Sequence, residues 1–119
     1  MLWIFGHMVH TRAQILMLLG DDFDAGLGNA FARGAALQDT SGYPSREKIN
    51  EASREVNRRL YAKLGALTDA DVSKAASRSF TNAVQTLGDQ VAFLAMHDTY
   101  HVGQLAYVRK ALGLPGVVG

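Results

Sequence analysis

Apolar residues run almost unbroken from Leu2 to Leu19, and a single polar stripe interrupts them. His7, His10, Thr11 and Gln14 fall at i, i+3, i+4 and i+7, within about 100° of one another on a helix. The pattern predicts a first helix over Leu2–Leu19, buried on most sides and stopped by Gly20 ahead of the acidic pair Asp21-Asp22. Its polar stripe either faces solvent or lines a polar site inside the fold. After Tyr43-Pro44-Ser45 the spacing turns amphipathic, with Ser45 as N-cap. Ile49, Ala52, Val56, Leu60, Leu64 and Leu67 form one stripe, and Glu51, Arg54, Glu55, Arg58, Arg59 and Lys63 lie mostly opposite. Because glutamates interleave the arginines, that outer face reads as solvated rather than as a basic binding patch. Thr68-Asp69-Ala70-Asp71 resembles a capping box and predicts a short helical turn before an irregular stretch, Ser77 to Gln85. Thr86 and Asp89 form a second box. A last helix then runs to about Leu112, where Gly113 and Pro115 end it.

Between the first two helices, Asp21 to Pro44 is rich in Gly, Asp and Ser, with Phe23, Phe31 and Leu37 as expected anchors. A connection this long can cross the length of a bundle, which would make the flanking helices parallel. Gly26-Leu27-Gly28 lacks both the third glycine and the preceding strand of a nucleotide loop, so that reading is rejected. The last helix has two faces. One carries Phe93, Leu94, His97, His101, Gln104 and Val108. The other carries Ala92, Ala95, Thr99, Gly103 and Ala106, small residues that predict another helix packed against them. The expected fold is all-α, a single domain over residues 1–119.

Composition narrows the chemistry. A net charge of +1 gives no electrostatic case for nucleic acid or an anionic membrane. The absence of cysteine removes disulfides, thiolate ligands and a cysteine nucleophile, so any metal must rely on histidine with carboxylate, amide or water. It also fits a reducing cytoplasm. The apolar opening has no basic leader and is broken by His7, His10, Thr11, Arg12 and Gln14, which argues for a buried helix of a soluble protein rather than a signal or a membrane span.

His97 and His101 are the most informative pair. Four residues apart on a helix, they differ by about 40° in azimuth and about 6 Å in height, so both imidazoles can reach one point. They point into the protein, where buried imidazoles need partners, and one cation satisfies both. If the first two helices are parallel, the last antiparallel and their ends level, His7 is about 18 Å up the bundle and His97 and His101 about 16 and 22 Å. His7 then falls between the other two. His10, about 13 Å up, is the poorer third member and is assigned to a supporting or surface role. Spacing alone leaves two readings open: a three-histidine metal site with room for water or substrate, or histidines that hydrogen-bond buried polar groups. Gln104, one turn beyond His101, is placed to orient a ligand or support that imidazole. Asp98 is expected to serve the fold or a neighbouring helix, and Tyr100 to pack.

The segment His97-Asp98-Thr99-Tyr100-His101-Val102-Gly103-Gln104-Leu105, with Arg109 and Leu112-Gly113-Leu114-Pro115-Gly116, closely resembles the last helix of DinB-like (YfiT-type) bacterial proteins. Trp3-Ile4-Phe5-Gly6-His7-Met8 resembles that family's Gly-His helix, and Tyr43-Pro44-Ser45 its next helix start. The resemblance covers the chain in order. It implies an up-down-down-up four-helix bundle, dimeric, with one divalent ion on three histidines that map onto His7, His97 and His101. Zinc or nickel would be the foremost ions, with iron and manganese as alternatives. Activities implied are metal-dependent hydrolysis or thiol transfer on a small-molecule substrate; a non-catalytic, metal-stabilised dimerisation or ligand-binding module is the alternative. Family members carry a helix before the Gly-His helix, whereas this sequence opens at the latter. The expectation is a shortened start or a partner that supplies the missing surface. With three long helices, Trp3, Ile4, Phe5, Ile15, Leu16 and Leu18 would be left partly bare in a monomer, which predicts a homodimer through the first or last helix.

Overall fold

In a computed structural model the chain is described over residues 1–80 and 86–116. It is all-α, with three long helices: α1 (Leu2–Leu18), α2 (Arg46–Gly65) and α4 (Leu87–Ala111). A single-turn α3 (Asp69–Val72) and a 3-10 turn (Thr40–Gly42) complete it. Among the described residues there is no strand, only an isolated bridge between Ala75 and Thr86. None of their helices is long and apolar enough to cross a membrane. Part of the expected irregular stretch, residues 81–85, lies outside the described residues.

The helix ends follow local chemistry. After α1, Gly20 takes the left-handed conformation (φ 78°). Its N–H bonds Met17 O at 3.0 Å and the Asp21 N–H bonds Leu16 O at 3.1 Å, which satisfies carbonyls that the helix leaves open. Gly113 (φ 70°) closes α4 in the same way, through Lys110 O and Arg109 O. Ser45 caps α2 by accepting from the Lys48 N–H, and Thr68–Asp71 and Thr86–Asp89 are full capping boxes. On the outer face of α2, Arg58 and then Arg59 hydrogen-bond Glu55 and hold its carboxyl down at about 2. Arg59 also reaches Asp21 and overlies the Phe23 ring.

α1 packs on α2 along one side and on α4 along the other. Val9 and Ala13 meet Ile49, Ala52 and Val56, while Ile15 meets Leu60, so α1 and α2 run parallel. Ile15 also meets Leu94 near the start of α4, and His7 meets His101 further along, so α4 runs antiparallel to α1. Arg12 ties the three together. Its guanidinium donates to Asp98 Oδ2 on α4 and to Asn57 Oδ1 on α2, each at 2.7 Å. Between α2 and α4 a groove of about 200 Å³ opens onto Arg12 and Asp98.

Three expectations are corrected. Of the loop anchors, Phe31 is fully buried and Phe23 partly so, but Leu37 is 77% exposed, and the second buried anchor is instead Leu27. Ile15 and Leu16 are completely covered, because the α1 residues facing α2 and α4 leave no bare side there. Trp3, Ile4, Phe5 and Leu18 are half-buried, as expected, but the longest run of exposed apolar residues is on α4. Met96, Tyr100, Val102 and Tyr107 are 58%, 60%, 52% and 75% exposed, and the small residues Ala92, Ala95, Thr99, Gly103 and Ala106 are exposed rather than covered by a packed helix. Tyr100 is therefore not a core residue.

Gly6 connects loop to helix. A Cβ there would run into the Phe31 ring, so only glycine lets that ring lie directly on α1. Phe31 also stacks on Tyr43, with centroids 5.2 Å apart. Gly6→Ala should lower stability by about 1–3 kcal/mol, the usual cost of overpacking. The second variant Gly6→Ala with Phe31→Leu should recover part of the loss, and urea denaturation followed by circular dichroism reads both. Equal midpoints for Gly6→Ala and the parent would contradict the contact.

Candidate metal centre

Helix geometry brings His97 and His101 one turn apart on α4, and the antiparallel α1 sets His7 opposite them. The His7 ring centroid is 5.0 Å from each of the other two. His97 Nε2 is 3.1 Å from His7 Nε2 and 3.2 Å from His101 Nε2. These three side chains thus lie close enough to hold a metal ion. His7 and His101 are buried and His97 nearly so.

The far side of each ring explains its orientation. His7 Nδ1–H donates to the Phe31 carbonyl at 2.7 Å, and Trp3 stacks on the same ring at 4.7 Å. His101 Nδ1–H donates to Gln104 Oε1 at 2.6 Å, and the Gln104 amide in turn donates to the Tyr100 hydroxyl. His97 Nδ1 faces Asp98 Oδ1 at 3.6 Å, too far for a hydrogen bond, and neither atom has another partner. These bonds fix the tautomers of His7 and His101 as Nδ1–H, which leaves an Nε2 lone pair on each.

That arrangement fits a cation. If His97 is also Nδ1–H, three lone pairs converge within the interior. If it is instead Nε2–H, it can serve one neighbour only, and its bare Nδ1 then faces a carboxylate oxygen. A divalent ion resolves both conflicts. Tetrahedral coordination at about 2.0–2.1 Å places ligand nitrogens about 3.3 Å apart, close to the two separations seen. Each imidazole turns its other nitrogen towards an acceptor, as metal-bound histidines do.

Of the other residues singled out in the sequence, Gln104 supports His101 and does not face the three-nitrogen centre. His10 is outside the cluster; its Nε2 accepts from the Gln14 amide at 2.8 Å. The whole polar stripe of α1 has a use, however. His7, His10, Thr11 and Gln14 all line a cavity of about 350 Å³ that also meets His97, Phe93, Arg33 and Arg78. Sequence reasoning missed Phe31 as the His7 partner, Trp3 as its stacking neighbour, and the arginines. No periodicity links residues from a loop and a helix 24 positions apart.

Burial, chiefly, lowers the proton affinity of His7 and His97. Neighbouring imidazoles add to the effect, and the Phe31 carbonyl and Asp98 oppose it. His10 is lowered too, first by burial and then by His7 and Arg78. No family model matches the chain, and neither a curated protein nor a solved structure matches it.

A histidine pKa depressed in the fold means that the unfolded chain binds more protons as pH falls. The metal-free protein should therefore have its full stability above the ordinary histidine value near 6.5, and lose it as pH drops through that value towards the lower folded one. Urea midpoints measured without metal should fall between about pH 7.5 and about pH 5. Equal midpoints would show that these imidazoles are not buried.

Proposed function

We propose that this chain is a DinB-like metalloprotein in which His7, His97 and His101 hold one divalent ion for hydrolysis or thiol transfer on a small molecule. The convergence of three Nε2 atoms is the observation that carries this reading. The parallel α1 and α2 with an antiparallel α4 support a bundle of the DinB-like kind. Zinc or nickel suits an all-imidazole set, and iron or manganese is tolerated by it. When bound, an ion on three neutral ligands supplies a Lewis acid that acidifies a water or thiol, or polarises a substrate oxygen. The chain's own residues orient the donors. The Phe31 carbonyl and the Gln104 amide hold His7 and His101, and Asp98, itself anchored by Arg12, stands behind His97. His7 and His97 also line the cavity, which gives a small molecule access to the site.

The second reading, a non-catalytic module that the ion ties together, is favoured by the same centre bridging α1 and α4. Turnover separates the two. A panel of thiol, ester and amide substrates should reveal an activity that is lost on metal removal and falls below about pH 6, as the histidines take up protons. Activity that survives chelation would exclude the metal-dependent mechanism, and none across the panel would favour the module.

Metal uptake is tested without knowing the reaction. At free metal about 100-fold above Kd, a bound ion adds about 2.7 kcal/mol to stability. His7→Ala, His97→Ala and His101→Ala should each lose metal, by elemental analysis of untagged protein, together with most of that gain. Full occupancy in His97→Ala would overturn the ligand assignment.

The chain also pairs with a second copy of itself, through the uncovered face of α4. From Val91 to Val108 the only Asp, Glu, Lys or Arg is Asp98, which turns inward to Arg12. What remains outside is Met96, Tyr100, Val102, Tyr107 and small residues. An uncharged helix face of this length is characteristic of contact surfaces, and a twofold dimer closes it with itself. Light scattering at micromolar concentration should give twice the 12.9 kDa chain mass. Tyr107→Glu with Met96→Glu should return it to a monomer, and a monomeric parent would refute the dimer.

A further inference from the structure

The cavity beside the three imidazoles is charged in one sense only. Arg33 and Arg78 line it, and no Asp or Glu does so among the described residues. Among the described residues neither arginine forms an ion pair there, whereas Arg12, Arg58 and Arg59 each do elsewhere in the fold. Arg78 lies with its guanidinium over the Phe80 ring, 5.4 Å from the centroid, and lines an adjoining cavity of about 370 Å³ as well. Asp22 and Asp24 line that second cavity, yet among the described residues no ion pair joins either to Arg78. The two guanidiniums come from different segments, one before α2 and one before α4. They meet the same space as His7 and His97, a space within the range of small-molecule sites.

We propose that this cavity is an anion subsite, in which Arg33 and Arg78 hold the carboxylate or phosphate of a small substrate whose other end reaches His7 and His97. Guanidinium is suited to both groups, since its planar donors match their paired oxygens. Thr11 and Gln14 offer neutral polar contacts along the wall between. The proposal rests on the metal reading above and deepens it by naming the substrate class.

Titration calorimetry on the full chain loaded with zinc tests it. Mercaptoacetate is compared with mercaptoacetamide, and mercaptoethyl phosphate with mercaptoethanol, so each pair differs in the anionic group and shares the thiol. At least one anionic probe should bind about tenfold or more tighter than its neutral partner, as a charge-assisted contact provides. The pair that shows the preference identifies the group. In Arg33→Gln/Arg78→Gln that preference should shrink about tenfold. Both arginines are exposed loop residues, and unchanged circular dichroism would show the fold kept. Equal binding within both pairs would overturn the subsite. So would a preference that survives intact in the double variant, because the ion's own charge would then account for it. Zinc content is measured alongside. If the parent takes up none, the three-histidine reading fails by itself, and the same comparison on metal-free protein decides the subsite.

Discussion

The registration of the three long helices depends on one guanidinium. Arg12 lies in the middle of α1 and spends its donors on Asp98 from α4 and Asn57 from α2. The pair is about three-quarters to four-fifths removed from solvent at its side chains. Its contribution falls between the about 1 kcal/mol of an exposed pair and the about 3–5 kcal/mol lost when a buried one is broken. More important than the energy is the geometry. A slip of α4 by one turn against α1, about 5.4 Å, would strand both charges.

The imidazole cluster inherits that register. Asp98 is flanked in sequence by His97 and, three residues on, by His101, while Arg12 lies five residues beyond His7. Once the ion pair sets the level, the histidines of the two helices must meet. The loop then finishes the arrangement. Phe31 presses on α1 where Gly6 leaves room, and in that position its carbonyl reaches His7 Nδ1. The constraint passes from charge pairing to ring orientation without a flexible step between.

Much of this was legible along the chain. Helix ends were, because Ser45, Thr68, Thr86, Gly20 and Gly113 act on their immediate neighbours. So was the α2 stripe, and so was the convergence of His97 with His101, which follows from helical pitch. By geometry, apart from the family resemblance, His7 joined them under the assumption of level ends, and the contact that holds the level, Arg12 with Asp98, spans 86 positions. Periodicity is blind to such pairs. The same blindness hid Leu27 and the Phe31 carbonyl, and it promoted Leu37, an apolar residue whose segment carries it out to solvent. The polar stripe of α1 could be read but not placed, since its use is defined by loop residues Arg33 and Arg78 that no helical pattern contains.

Trp3 is the single tryptophan of the chain, and its indole lies nearly parallel to the His7 imidazole, 7° between planes and 4.7 Å between centroids. All indole emission from this protein therefore originates in van der Waals contact with one member of the histidine cluster. A change in the electronic state of that imidazole is felt by the chromophore directly, at a range where aromatic faces interact. The molecule thus carries its own optical probe of the centre, with no label to attach and no second tryptophan to dilute the signal.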